Sequence, residues 1–300
     1  MKKTFITLLS FLLFTISASA QLLYKVSGGE LTKPSYIMGT YHLANVNFAD
    51  SVPGLRKAMA DCEQVYGELD MTKIMNNPTS TMQMQQAMML PQGETLDKYL
   101  NAEQIARLNA FITKHMGVEI NNPAMAQVKQ MKPAALSTTL QVLLFIKEEG
   151  GFNPQQQFDT YFLNEAQKQN KPIGGLETLD YQMNVLYGVP LQRQAEQLMC
   201  LVDNADYNIS IAKRTIKAYY AQDMAAIEKL NDEKLHNSCD ATPAEEDALI
   251  YTRNANWAKV LPTIMKAKST LVAVGCLHLP TKRGLLQLLR NAGYKVEPVK

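Results

Sequence analysis

Histidine is scarce in this chain, four in 300 residues, yet two of the four stand in the same frame. Gly39-Thr40-Tyr41-His42-Leu43 and Gly275-Cys276-Leu277-His278-Leu279 both read G-x-x-H-L after an apolar run. Imidazole titrates near neutrality and ligates divalent metals through an unprotonated ring nitrogen. Two imidazoles brought together suit a divalent ion, or one base paired with another. The glycine ahead of each lets the backbone turn sharply or approach a ligand closely. His115 and His236 lie in helical or loop surroundings and read as surface residues.

A third donor is needed, and Gln64-Val65-Tyr66-Gly67-Glu68-Leu69-Asp70 offers Glu68 and Asp70. Alternation along a strand would put both on one face. A carboxylate completes a two-histidine, one-carboxylate set with positions left for water and substrate. Glu68 also suits a general base for water. Glu177 follows another short β-like run. Arg253, in Thr252-Arg253-Asn254, suits a clamp on a substrate carboxylate or an oxyanion. His42, His278, Glu68 and Arg253 are therefore the candidate catalytic residues. His42, His278 and Glu68 are the candidate metal ligands. Gly39, Gly275, Asp70 and Glu177 are the candidates for support or substrate contact. The competing structural readings are histidines that cap the core, a surface Glu68 and an Arg253 in a helix ion pair. The chain holds no G-x-S-x-G, no H-E-x-x-H, no Walker A motif and no G-x-G-x-x-G.

The elements that must position these groups are legible at both chain ends. Leu22–Val26 and Ser35–Met38 are β-type runs around a Gly-Gly turn and predict a hairpin. A helical period over Val52–Cys62 precedes a strand at Gln64–Leu69. Thr270–Val274 is a continuous apolar strand, followed by a helix at Arg283–Arg290 and a strand at Tyr294–Val299. Strands alternating with helices predict a mostly parallel sheet, whose ligand sites form at the carboxyl ends of the strands. Between the ends the period is helical over Ala102–Met116, Ala134–Lys147, Phe158–Gln169, Gln192–Val202, Ile209–Ala221 and from Pro243 through Trp257. Lys171–Leu176 is the one β-like interruption. The expected fold is α/β: a central, mostly parallel sheet built from both chain ends, with a large helical insertion as a cap. The sheet core would span about residues 21–78 and 269–300 plus strand 171–176, the cap about 79–268. The Met-rich segment Thr81–Leu90 reads as a pliable apolar face that fills the cap or touches a ligand.

Residues 1–20 have the pattern of a cleavable export signal. Lys2 and Lys3 precede an apolar run over 5–16, and Ala18-Ser19-Ala20 offers the small residues of a cleavage site. A periplasmic or secreted chain beginning near Gln21 is expected. Without Lys2 and Lys3, the 30 Lys and Arg residues come into balance with the 28 Asp and Glu. That neutrality gives no reason to expect a nucleic-acid partner. No later run is long and apolar enough for a membrane helix. Oligomeric state is not legible. Of the four cysteines, Cys200 and Cys239 share a helical region and are expected to pair in an oxidising compartment. Cys62 and Cys276 read as buried thiols.

Taken together, the paired G-x-x-H frames, Glu68 after its strand and Arg253-Asn254 before the last strands resemble the TraB/GumN family. Further matching residues are Phe158-Asp159, Ala166, Lys171, Gly175-Leu176-Glu177-Thr178, His278-Leu279-Pro280, Gly284-Leu285, Gly293-Tyr294 and Val296. The resemblance covers nearly all of residues 21–300 as a single domain. Cys276 departs from it, standing where a small residue such as Ala is common. Relatives include the Tiki proteins, described as metal-dependent proteases, with erythromycin esterases and ChaN-like iron-regulated proteins nearby. The resemblance implies a site of His42, Glu68, Arg253 and His278. The expected function is an exported metal-dependent hydrolase, a peptidase, acting on a peptide or small molecule with a divalent Mn, Co, Zn or Fe ion. A metal-free esterase-like hydrolase, or a non-catalytic binder of a small ligand, iron or haem, is the alternative.

Overall fold

The computed structural model describes residues 21–149, 153 and 156–300. The export signal expected at residues 1–20 lies outside them. The strands are β1 (Leu23–Gly28), β2 (Ser35–Thr40), β3 (Gln64–Gly67), β4 (Ile173–Gly175), β5 (Thr270–Gly275) and β6 (Tyr294–Pro298). The helices are α1 (Leu55–Asp61), α2 (Met71–Met75), α3 (Pro78–Ala87), α4 (Ala102–Met116), α5 (Pro133–Glu149), α6 (Phe158–Lys168) and α7 (Leu179–Tyr187). They continue with α8 (Leu191–Asp203), α9 (Ala205–Tyr220), α10 (Met224–Asn231), α11 (Pro243–Glu246), α12 (Thr252–Ala267) and α13 (Leu285–Asn291).

The strands form one sheet in the order β4-β3-β5-β2-β1-β6. The pairings β4-β3, β3-β5 and β5-β2 are parallel; β1 runs antiparallel to β2 and to β6. The expected mostly parallel α/β sheet is borne out. Its central strand β5 is flanked on both sides and packed on both faces, which is why Thr270–Val274 is apolar without alternation. Leu271 and Ala273 face one layer, with Tyr36, Met38 and Val65. Val272 and Val274 face the other, with Ile37.

The long stretch 79–268 does two different things. Phe158, Phe162 and Leu163 of α6, Tyr219 of α9 and Ile227 of α10 cover the first face of the sheet. Trp257, Leu261 and Met265 of α12 cover the second, beside Leu285 and Leu289 of α13. The helical insertion thus supplies a layer on each face of the sheet. A separate apolar core gathers Leu108 and Ile112 of α4, Leu136 and Leu140 of α5 and Leu198 of α8. The Met-rich run falls in and after α3, a helix that contributes no buried residue. Cys200 and Cys239 form a disulfide with Cα atoms 5.5 Å apart, tying α8 to the loop before α11. Cys62 and Cys276 are buried thiols.

The two glycine-led frames are not equivalent in three dimensions. Gly39 lies opposite Val274, and Gly275 lies opposite Thr40. The frames are thus offset by one residue, and an offset of one exchanges the faces of a sheet. A Cβ on Gly39 would lie 2.7 Å from Leu279 Cδ1 and 3.2 Å from the Cys276 Cα. A Cβ on Gly275 would meet only Glu68 Oε1 at 3.4 Å and His278 Cδ2 at 3.5 Å.

Gly39→Ala should therefore destabilise the fold by about 1–3 kcal/mol in urea unfolding, and Gly275→Ala by clearly less. Equal losses would mean that the close strand-end packing around Gly39 is not the constraint. Reducing the disulfide removes a cross-link across 39 positions. On the chain-entropy model that should cost about 3–4 kcal/mol, read as a lower unfolding midpoint in reductant.

Candidate functional site

The carboxyl ends of the parallel strands converge with the first turns of three helices. Beyond β2, His42 sits in a turn, with its side chain 70% exposed. Two tyrosines of α9 fix that turn: Tyr219 Oη donates to the Gly39 carbonyl at 2.8 Å, and the Asn45 N–H donates to Tyr220 Oη at 3.0 Å. His42 Nδ1 lies 2.5 Å from Asp159 Oδ2 in the first turn of α6. Thr40 Oγ1 donates to the other oxygen of Asp159. The Asp159 carboxylate pulls the His42 pKa up to about 9, and His42 in turn offsets burial to hold Asp159 below its usual range. The remaining ring nitrogen, Nε2, is left for the cleft.

Glu68 follows β3 and opens on the same cleft, of about 200 Å³, with His42, Asp159 and Gln182. Met71 of α2, Met84 of α3 and Met183 of α7 also line it. Glu68 Oε1 accepts the Gly275 N–H at 2.9 Å. Its Oε2 accepts from Arg253 Nη2 at 2.5 Å and from Gln182 Nε2 at 3.1 Å. Burial pushes the Glu68 pKa up; Arg253 foremost, with the Gly275 N–H among smaller contributors, outweighs it, so the carboxyl is held below its usual range.

Arg253 lies behind Glu68, 4% exposed. Nε donates to Glu177 at 3.1 Å. Nη1 donates to the Leu249 carbonyl at 3.1 Å and faces His278 Nε2 at 3.1 Å. Nη2 donates to Glu68 and, at 2.7 Å, to Glu177 Oε1. All five N–H groups of the guanidinium are thereby engaged within the protein. The Leu249 carbonyl belongs to a π-helical turn, Asp247–Tyr251, that leads into α12; such turns recur at functional sites. Glu177, beyond β4, also accepts from Gln182 Nε2 at 2.9 Å and from Trp257 Nε1 at 3.0 Å. The Trp257 ring packs on Arg253 at 4.7 Å and on His278 at 4.4 Å. His278 is buried in a 3-10 turn after β5. Burial, with Arg253 adding to it against the pull of Glu68, lowers its pKa to about 4, so the ring is neutral at pH 7.

The sequence model of the TraB/PrgY/gumN family matches residues 22–298. The chain belongs to the TraB/PrgY/gumN family. The resemblance carried by the motifs is borne out. The Metalloprotease TIKI2 of Xenopus tropicalis is 26% identical over 309 aligned positions, covering 88% of this chain and 57% of TIKI2. The Metalloprotease TIKI1 of Homo sapiens is 23% identical, covering 88% of this chain and 59% of its own length. The uncharacterised protein YbaP of Shigella flexneri is 24% identical, covering 85% of this chain and 88% of YbaP. This chain thus spans less than two thirds of the length of the TIKI proteins. No solved structure matches it significantly.

In this member of the family the structure gathers Glu68, Glu177, Arg253 and His278 into one network, with His42 across the cleft. Asp70 does not join them. It caps α2, accepting from the Lys73 N–H at 2.9 Å and from Thr72 Oγ1 at 2.6 Å. Among the described residues, no three His, Cys, Asp or Glu side chains form a group that could hold a metal. The donor chemistry says why. His42 fits a ligand: its second nitrogen is bound by a carboxylate, as metal-ligating histidines usually are. Glu68 fits too, with its orientation fixed by Arg253 and Gln182. His278 fits less well: its Nε2 lies 3.8 Å from Glu68 Oε1, yet the Arg253 guanidinium already faces it at 3.1 Å. Sequence reasoning assigned no role to Asp159, Gln182, Asn254 or Trp257. Asp159 and Asn254 stand in the motif residues, but nothing local tied Asp159 to His42 across 117 positions.

Opposite shifts on the two histidines predict the pH profile of stability. His42 binds a proton more tightly folded than unfolded, so its contribution is full below about pH 6.5 and is lost as pH rises to about 9. His278 binds one less tightly, so stability falls as pH drops from about 6.5 to about 4. In urea titrations from pH 4 to 10, His42→Gln should flatten the alkaline limb and His278→Gln the acid limb. Parallel profiles in wild type and both variants would contradict these environments.

Proposed function

We propose that this chain is an exported hydrolase of the peptidase class. Its cleft at the strand ends would bind a scissile peptide bond between His42 and Glu68. The observation that supports this best is that the Asp159–His42 pair and an ionised Glu68 open on one cleft. Export is supported by the Cys200–Cys239 disulfide and by the pattern of residues 1–20. Among the described residues no helix is long and apolar enough to cross a membrane. The TIKI relatives, named metalloproteases, support a peptide substrate and a divalent metal.

Each residue then has a task. Asp159 holds the His42 ring through Nδ1 and turns Nε2 toward the substrate. Glu68 orients water. Arg253 contacts no substrate, since its five N–H groups are used internally; it keeps Glu68 ionised and in place. An oxyanion donor role for Arg253 would require breaking one of those bonds. A carboxylate held this acidic is a weak base for water unless an acid assists the leaving group in the same step. His42 Nε2 and Glu68 are the donors that would hold a divalent ion, whose chemistry is to lower the pKa of a bound water. Manganese, cobalt, zinc and iron all suit such donors.

A second reading has its own observation. His42 is raised and Glu68 lowered, and carboxylate–histidine environments pushed apart in this way mark acid and base partners. In that reading His42 Nε2–H gives its proton to the leaving group while Glu68 takes one from water, with no metal.

The test uses the chain from Gln21 onward with a peptide library, an aryl ester and added Mn²⁺, Co²⁺ or Zn²⁺. Chelator-sensitive peptide cleavage is expected, with His42→Ala and Glu68→Gln each losing at least about a hundredfold. Chelator-insensitive ester cleavage would favour the second reading. A bound ligand with no turnover would overturn both. Because a metal must displace the His42 proton, Zn²⁺ uptake should release a proton and tighten as pH rises toward about 9. Calorimetry in buffers of different ionisation enthalpy reads that proton directly.

A further inference from the structure

We infer that His278, despite its matching frame, is a positioning residue that accepts a hydrogen bond from Arg253, and that it is not a metal ligand. The ring's protonation follows from its two neighbours. Asn254 Nδ2 donates to the His278 carbonyl at 3.2 Å and to the Arg283 carbonyl at 3.0 Å. Turning that amide over would set Oδ1 against two carbonyl oxygens, so Oδ1 must face the ring. It lies 2.7 Å from His278 Nδ1. An acceptor there requires Nδ1 to carry the hydrogen. On the opposite side of the ring, Arg253 Nη1 can only donate. It lies 3.1 Å from Nε2. Nε2 must therefore be the lone-pair nitrogen. Two independent partners, on opposite ring atoms, select the same neutral tautomer.

That lone pair is the one a metal would need. An ion bound to Nε2 at about 2.0–2.1 Å would occupy the direction in which Arg253 Nη1 stands. Admitting it would drive the guanidinium off Glu68 and Glu177. His278 also takes no part in lining the cleft that His42 and Glu68 share. The two frames also leave strand ends that are offset by one residue, and His278 continues into a buried 3-10 turn. What His278 does instead is fix the plane of Arg253. With the Leu249 carbonyl it takes both Nη1 hydrogens, which leaves Nη2 aimed at Glu68 Oε2. The order of support is Asn254, His278, Arg253, Glu68. The ligand half of this inference rests on reading the cleft as a hydrolase site; the tautomer half does not.

Three measurements on the chain from Gln21 onward decide it. Long-range ¹H–¹⁵N NMR of histidine-labelled protein separates the two neutral tautomers, and only four histidines need assignment. His278 should show protonated Nδ1 and bare Nε2, unchanged by added Zn²⁺. An Nε2–H or imidazolium state at pH 7, or a zinc-shifted Nε2, would overturn the inference. Calorimetric Zn²⁺ affinity should change less than about twofold in His278→Gln, which keeps an acceptor near Nε2, and fall beyond about a hundredfold in His42→Ala. A loss in His278→Gln as large as in His42→Ala, with an unchanged Tm, would also overturn it. If wild type takes up no zinc, His278 has no ligand role and the tautomer alone decides the rest. Where hydrolysis is found, His278→Ala should lower kcat by about 10–100-fold with KM kept, and His278→Gln should restore it. Equal loss in both variants would refute the positioning role. Absence of hydrolysis in wild type would instead refute the proposed function and leave the NMR and zinc results standing.

Discussion

A guanidinium cannot shed its charge on burial, so a chain that buries Arg253 must bring counter-charges and acceptors with it. Here they come from four places. Glu68 ends one strand, Glu177 another, His278 follows a third, and the Leu249 carbonyl comes from a π-helical turn. Those groups span most of the sequence. The residue at the start of α12 therefore gathers the ends of β3, β4 and β5 at one point. Removing one partner of such a buried set costs on the order of 3–5 kcal/mol, because the other charge is left without compensation.

The same arrangement gives the site two sides. Behind Glu68 lies a buried, hydrogen-bonded network, closed by Trp257 over both Arg253 and His278. In front lies the cleft, with His42 and its carboxylate partner Asp159. Glu68 is the one charged group that belongs to both. Its Oε2 is committed to Arg253 and Gln182, while its Oε1, on the Gly275 N–H and 3.8 Å from His278 Nε2, keeps a second lone pair. That division holds the carboxylate ionised in a place where burial alone would neutralise it.

The cleft wall contrasts with the network behind it. Helices α3 and α7 carry Met84, Gln182 and Met183 toward the opening, yet neither contributes a buried residue. Low burial means low local stability, so this wall is the part of the site that yields most easily. The sheet ends and α12 are rigid by comparison, being packed on Leu261, Met265 and Val272. The Met-rich run, legible as a pliable face, thus sits beside the polar groups.

The sequence by itself determined the strands, most of the long helices, the Cys200–Cys239 pair and the family. Each is written in a local pattern: period, breaker residues, or a motif order. It also named Glu68, Glu177, Arg253 and both histidines as candidates, since scarce polar types after apolar runs stand out. It left α3, α7 and α10 without clear signals, because their apolar faces are weak or short. Tertiary structure alone decided what each candidate does. Two identical frames, read as equals, end on strands offset by one residue, and the turns beyond them bring His42 to the cleft and bury His278. It likewise chose Asp159 for His42 and Asn254 for His278. Hydrogen-bond partners depend on the register of strands far apart in the chain, and register is a property of the assembled sheet, which no local pattern encodes.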